Sequence, residues 1–324
     1  MKNALFVAFA MGMTLTAAAQ YQVANSDFEV WETVAYGGKR GEEPVRWSSF
    51  MDGTGGYKSM AGAIQLEKSS RELRPGTSGR YSARIHARNV FFVVAQGNLT
   101  TGCVNMSSMN PSDGSGNYNY INETREDQAM RFSGRPDAVR VWLKFRGSNR
   151  AKVSVFLTTK GYYQDPYVNT GKITATLVSK AIKDDIKSND KWTEYIIPFG
   201  NEETNEKPYY ALVYIATSSK PGKGNKNDYM FIDDMEMLYH SEATAITYNG
   251  RKVAMGSTVD EVYDPALFTG VDMTGRAATY TAEYDKGTAV LTIIVKGENI
   301  SEAPENKHTY TITFRKPGNY AVAA

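Results

Sequence analysis

Polar and apolar residues alternate along most of this chain with a period of two. Arg140-Val141-Trp142-Leu143-Lys144-Phe145 and Lys152-Val153-Ser154-Val155-Phe156-Leu157 are the clearest runs. A strand turns successive side chains to opposite faces, so this period predicts half-buried strands. Similar runs occur at 81–86, 192–198, 211–217 and 229–237, separated by clusters of Gly, Asn, Asp, Ser and Pro. Many short strands at this spacing predict an all-β fold, a β-sandwich of the jelly-roll kind. No long amphipathic helix is evident. Residues 180–187 alone suit one or two helical turns.

Alternation also assigns faces. Val139, Val141, Leu143 and Phe145 share a side, as do Val153, Val155 and Leu157, and both sets are expected in the core. The opposite sides carry Arg140, Trp142, Lys144 and Arg146 on one strand and Lys152, Ser154, Phe156 and Thr158 on the next. With the two strands as neighbours, Trp142 and Phe156 form either a flat aromatic platform or a second small core under loops.

The strand rhythm pauses at Tyr239-His240-Ser241-Glu242 and restarts beyond it. Asn249-Gly250 is a strong hairpin signal, and strand-like runs follow at 278–282, 289–295 and 310–314. This predicts a small immunoglobulin-like sandwich over 241–324, a spacer or a docking module for partner proteins. Residues 114–119 and 220–228 read as surface loops.

The start of the chain changes the picture of compartment. Met1-Lys2-Asn3 is followed by a short apolar run and by Ala17-Ala18-Ala19. That order predicts a signal peptide over 1–19, cleaved near Ala19, and hence an exported protein. The run is too short for a membrane span, which needs about 20 residues, and no Cys follows it to carry a lipid. Residues 20–240 then form the first domain. Periplasm, outer surface and medium are equally open as destinations. Cys103 is the single cysteine, so the chain has no internal disulfide and must rely on its core.

A net charge of +2 and the lack of a basic stripe give no sign of nucleic acid binding. The 21 Tyr and 28 Gly suit strands and turns. Tyrosine also suits sugars, because the ring stacks on pyranose CH groups while the phenol bonds hydroxyls.

Motifs in order add a resemblance. Asn25-Ser26-Asp27-Phe28-Glu29-Val30-Trp31 opens the first domain, and Pro44-Val45-Arg46-Trp47 and Gly79-Arg80-Tyr81-Ser82-Ala83-Arg84-Ile85 follow. Then come Gly97-Asn98-Leu99-Thr100-Thr101-Gly102, Phe132-Ser133-Gly134-Arg135-Pro136 and Trp192-Thr193-Glu194-Tyr195. Ala216-Thr217-Ser218-Ser219 and Phe231-Ile232-Asp233-Asp234-Met235 complete the series. Over 21–239 the chain resembles the carbohydrate metabolism domain family of exported bacterial proteins, which is similar to jelly-roll carbohydrate-binding modules. The resemblance implies a structural calcium held by Glu29 with Asp233 or Asp234, a chemistry that suits hard oxygen ligands. By alternation Asp233 shares the side of Phe231, Met235 and Met237 and points inward, where a carboxylate needs a partner. The Lys- and Asn-rich stretch 218–228 departs from the family pattern, and would alter ligand preference if it borders the binding face.

Three functions remain open: glycan capture without catalysis, a glycoside hydrolase using a carboxylate pair in the jelly-roll cleft, and a structural or adhesive surface protein. For hydrolysis, Glu29, Glu32, Asp52, Glu67, Glu72, Glu123, Asp127, Glu194 and Asp233 are all carboxyls, and no motif singles out two of them. There is no GxSxG elbow, no HExxH and no Gly-rich nucleotide loop, so no organic cofactor is implied. For binding, Trp142 and Phe156 are strand-borne platform candidates, and Trp47, Tyr57, Tyr118 and Tyr120 are loop-borne. Arg84 and Arg140 could bond vicinal hydroxyls or a uronate. Trp31 and Trp192 are expected in the core.

Overall fold

The computed structural model describes residues 20–61, 64–90, 92–200 and 203–318. The first 19 residues, which carry the export expectation, lie outside these. The described chain is all-β with a few short 3-10 turns. None of its helical pieces is long and apolar enough to cross a membrane.

Nine strands build the first sandwich: β1 (Leu66–Ser69), β2 (Ser82–His86), β3 (Asn98–Thr100), β4 (Ala138–Arg146), β5 (Ala151–Thr158), β6 (Leu177–Ile186), β7 (Trp192–Pro198), β8 (Tyr210–Ala216) and β9 (Tyr229–Leu238). One sheet runs β7-β4-β9-β2-β1 and the other β6-β5-β8-β3. All pairings in them are antiparallel. The chain changes sheet at nearly every step from β2 to β9, which is jelly-roll wrapping. Val139, Val141, Leu143, Phe145, Val153, Val155 and Leu157 meet between the sheets, each at most 1% exposed. Burying each such side chain contributes about 1.5–3 kcal/mol.

Four expectations are corrected. Residues 180–187 are not helical, because β5 supplies a ladder along which β6 stays extended. Trp142 and Phe156 do not share a face, because β4 and β5 are consecutive in sequence but lie in opposite sheets. Period two tells which side of its own sheet a residue takes, and says nothing of which sheet that is. A bulge between Arg140 and Trp142, with Asp234 at φ 42°, reverses the alternation along β9. Met230 and Ile232 face the core before it, and Met235 and Met237 after it. Asp233 therefore sits on the outer side opposite Trp142. Trp192 also faces outward, opposite Lys144, with its ring 6.4 Å from that of Phe231. Trp31 does pack against the core, its Nε1 donating to the Phe28 carbonyl at 2.6 Å.

The C-terminal strands form a separate sandwich with its own core around Ile246, Leu291, Ile293 and Ile312. Ala243–Tyr248 pairs with Arg251–Ala254 through Asn249 and Gly250, both at positive φ as a primed hairpin turn requires. Ala243–Tyr248 is also the central strand of a three-stranded sheet, and a four-stranded sheet packs against it.

Candidate ligand-binding site

The outer face of β5 runs Lys152, Ser154, Phe156, Thr158, and the outer face of β8 sets Tyr214, Leu212 and Tyr210 beside them. A small three-stranded sheet, Cys103–Met106, Asn117–Tyr120 and Gln164–Asp165, covers this face unevenly. At one end it buries Phe156 to 3% exposure among Ile121, Tyr163, Tyr210 and Leu212. At the other end it leaves a cavity of about 240 Å³ over Lys152, Tyr214 and Asn98.

The cavity walls are largely apolar. Tyr57, Tyr118 and Phe50 supply aromatic rings, Val104 and Met106 come from the covering sheet, and Val90, Val93, Val94 and Ala95 from a hairpin that pairs only with itself. The loop that carries Tyr57 is stitched to Cys103–Met106 by the Thr54, Tyr57 and Met106 amides at 2.7–2.9 Å. Gly55 is required there. Its φ is +98°, and a Cβ would lie 2.3 Å from the Met106 carbonyl oxygen. Residues 219–222, in the Lys- and Asn-rich stretch, also reach the cavity through Ser219, Pro221 and Gly222. That loop does border the face.

The polar groups are few and converge. Lys152 Nζ lies 3.3 Å from Asp165 Oδ2 and 5.3 Å from the centre of the Tyr214 ring. Gln96 Nε2 donates to Tyr214 Oη at 2.6 Å, and Asn98 Nδ2 to Asn119 Oδ1 at 3.2 Å. The oxygens of the Gln96 and Asn98 amides, Oε1 and Oδ1, are buried with no hydrogen-bond partner among the described residues. A buried acceptor without a donor costs about 1–3 kcal/mol. Burial pushes the Tyr214 phenol above its ordinary pKa, so it stays a neutral hydroxyl. Asp165 is the one carboxylate among the described lining residues.

The candidates from sequence divide sharply. Tyr57 and Tyr118 line the cavity. Tyr120 stands behind Tyr118, rings 5.6 Å apart, its hydroxyl 3.3 Å from Thr54 Oγ1 and its pKa raised to about 12 by burial first and Cys103 next. Trp47 is loop-borne, as expected, but not open: it is 2% exposed, packed on Phe28 and bonded to the Ala24 carbonyl. Phe156 is likewise core. Trp142 lies on the other sheet, half-buried under the Arg74 guanidinium 5.4 Å from its ring. Arg84 is committed to Glu67, and Arg140 to Glu236 with Glu194 at 3.7 Å. Both face away from the cavity because β2 and β4 belong to the opposite sheet. Sequence reasoning missed Tyr214, Lys152, Asn98 and Gln96. For Lys152 and Tyr214 the signal was the outward parity of β5 and β8, legible only once the sheet was known; Asn98, at the start of β3, and Gln96, just before it, carried none.

Glu29, Asp233 and Asp234 gather at the bulge, away from the cavity. Asp233 is 1% exposed, with a pKa raised to about 7 by burial first and Asp234 next, and its Oδ2 has no hydrogen-bond partner. Glu29 Oε1 accepts from the Arg80 and Tyr81 amides, and Asp234 from Arg74. Among the described residues no group of three or more His, Cys, Asp or Glu is placed to hold a metal. The orphaned Asp233 oxygen fits a cation, whereas its two neighbours are already engaged.

No protein-family model and no curated protein matches this chain. Among solved structures it is similar to two proteins each described as a "putative glycoside hydrolase". The one from Bacteroides thetaiotaomicron is 17% identical, with 69% of this chain and 73% of that one covered at a TM-score of 0.47. The one from Bacteroides vulgatus is 15% identical, with 65% and 96% covered at 0.48. A family 11 carbohydrate-binding module from Clostridium thermocellum, solved with a mixed-linked tetrasaccharide, is 8% identical, with 68% and 97% covered at 0.27. At these values nothing about ligand or chemistry transfers to this chain.

Proposed function

We propose that this chain is an exported glycan-binding protein that captures an oligo- or polysaccharide segment in the cavity without cleaving it. The observation that carries this reading is a cavity that joins aromatic walls, Tyr57, Tyr118 and Phe50, to a few polar lining residues, Lys152, Asp165, Gln96 and Asn98. A ligand that is apolar on its ring faces and rich in hydroxyl donors answers both features at once. Asp165, held by Lys152, is the one carboxylate among the described lining residues, which favours capture over cleavage, since a glycosidase of the usual kind needs two carboxyls about 5–9.5 Å apart.

A glycan-array screen of residues 20–324 tests it. Saturable binding is expected, lost in Tyr118→Ala and retained in Trp142→Ala. Absence of binding to plant, host and microbial glycans defeats the reading and leaves an adhesive or structural role.

Structural calcium at Asp233 is part of the same proposal. Removing divalent ions with a chelator at pH 8 is expected to lower Tm in the native chain and leave Asp233→Asn unchanged. An identical shift in both, or none in either, removes the metal.

A further inference from the structure

Phe50 also lines a second cavity. This one measures about 320 Å³ and is lined by Tyr36, Met51, Gly55, Gly56, Lys58 and Ser59. Phe50 is the residue common to both cavities. It is held rigidly. It opens the 3-10 turn Phe50–Asp52, which Ser49 caps by accepting from the Met51 amide at 3.1 Å, while the buried Glu43 carboxyl oxygen Oε1 accepts from the Ser49 amide at 2.9 Å.

The glycines on this wall have different reasons. Gly55 is forced by its backbone, as shown above. Gly56 is not: its φ lies outside the left-handed range, and a Cβ there would meet no atom within 4 Å. Glycine in such a place costs conformational entropy on folding with no return to the fold. What it does give is an open wall beside Lys58 and Ser59.

We infer that the two cavities are compartments of one groove that takes a glycan chain of several units, with Phe50 as the aromatic divider between adjacent sugars and Gly56 keeping the second compartment clear. This deepens the glycan-binding reading and rests on it. An aromatic ring that offers both faces lets consecutive pyranose units pack on either side of it. Lys58 and Ser59 add the second compartment's own donors. A single sugar would fill one compartment only, so affinity should grow with chain length.

The test is calorimetric titration of residues 20–324 with xylo-, gluco-, galacto- and arabino-oligosaccharides of one to six units, in the native chain and in Gly56→Trp. The expected result is an affinity gain of about tenfold or more from short to long members of the preferred series. In Gly56→Trp that gain disappears, while short members bind as before and Tm is unchanged. Lys58→Ala is the second variant, since it adds no bulk; it should reduce the gain severalfold and spare short ligands. Equal affinity for short and long chains, or a length gain that both variants keep, overturns the inference and leaves single-compartment binding standing. Failure of the native chain to bind any member of any series overturns the glycan reading and this inference together.

Discussion

Glu43 lies one residue from the end of the hairpin that Trp31–Tyr36 and Lys39–Pro44 form ahead of the jelly roll, and it is 1% exposed, with the Ser49 amide and hydroxyl as donors to its Oε1. Burial raises its pKa to about 8, the Ser49 hydrogen bond opposes that shift, and the nearby Asp52 charge adds to it. The folded state thus keeps a proton that the unfolded chain releases near pH 4.5. Stability from this group is full below that value and falls as pH rises through about 8, by on the order of 5 kcal/mol at most. Melting from pH 5 to 8.5 should show a declining Tm, with a shallower slope in Glu43→Gln; an equal slope in both would assign the loss to other groups. The two aromatics moved from the site list to the core make a second residue-level prediction. Phe156→Ala or Trp47→Ala should cost about 3–5 kcal/mol in denaturant unfolding. A stable variant that merely lost ligand would restore either residue to the surface.

At the scale of elements, the hairpin Arg88–Val90 with Val93–Ala95 bears on binding most directly. Among the described residues it pairs with no other strand, and buried Gln65 holds its base, with Nε2 within 3.1–3.2 Å of the His86, Ala95 and Gln96 carbonyls. Its valines line the cavity, yet Phe92 beside them is 89% exposed. Phe92→Ala should therefore weaken glycan affinity about fivefold, the worth of one aromatic contact near 1 kcal/mol, with Tm unchanged. A drop in Tm with unaltered affinity would make the ring structural. The strands themselves were legible in the sequence. The alternation of 139–145 and 153–157 named the core correctly, and Asn249-Gly250 named a hairpin. Sheet membership was not legible, because the sheet change between β4 and β5 leaves no mark on a period-two pattern. That is why Trp142 was set beside Phe156, and why Lys152 and Tyr214 were passed over. The bulge at Asp234 hid in the same way: one extra residue in a strand inverts every later assignment.

At the scale of the molecule, the two sandwiches are joined by more than the linker. Asp137, at the start of β4, accepts from the His240 and Arg276 amides, both at 2.7 Å, and lies 3.3 Å from His240 Nδ1. Arg276 reaches on to the Gly200 carbonyl at 2.5 Å, and Glu298 accepts from the Arg135 amide at 2.5 Å. Hydrogen bonds to charged groups contribute about 1.5–3 kcal/mol each, so this seam couples two cores that share no hydrophobic cluster. The native chain should then unfold in one calorimetric transition. Asp137→Ala leaves two amides without their acceptor and should split the transition in two, or broaden it markedly, and Arg276→Ala should do so to a lesser degree. Neither residue lines either cavity, so the proposed glycan affinity should hold in both variants. A single sharp transition in Asp137→Ala would mean that the C-terminal sandwich melts independently from the start. It would then be a tethered module and not coupled to the jelly roll.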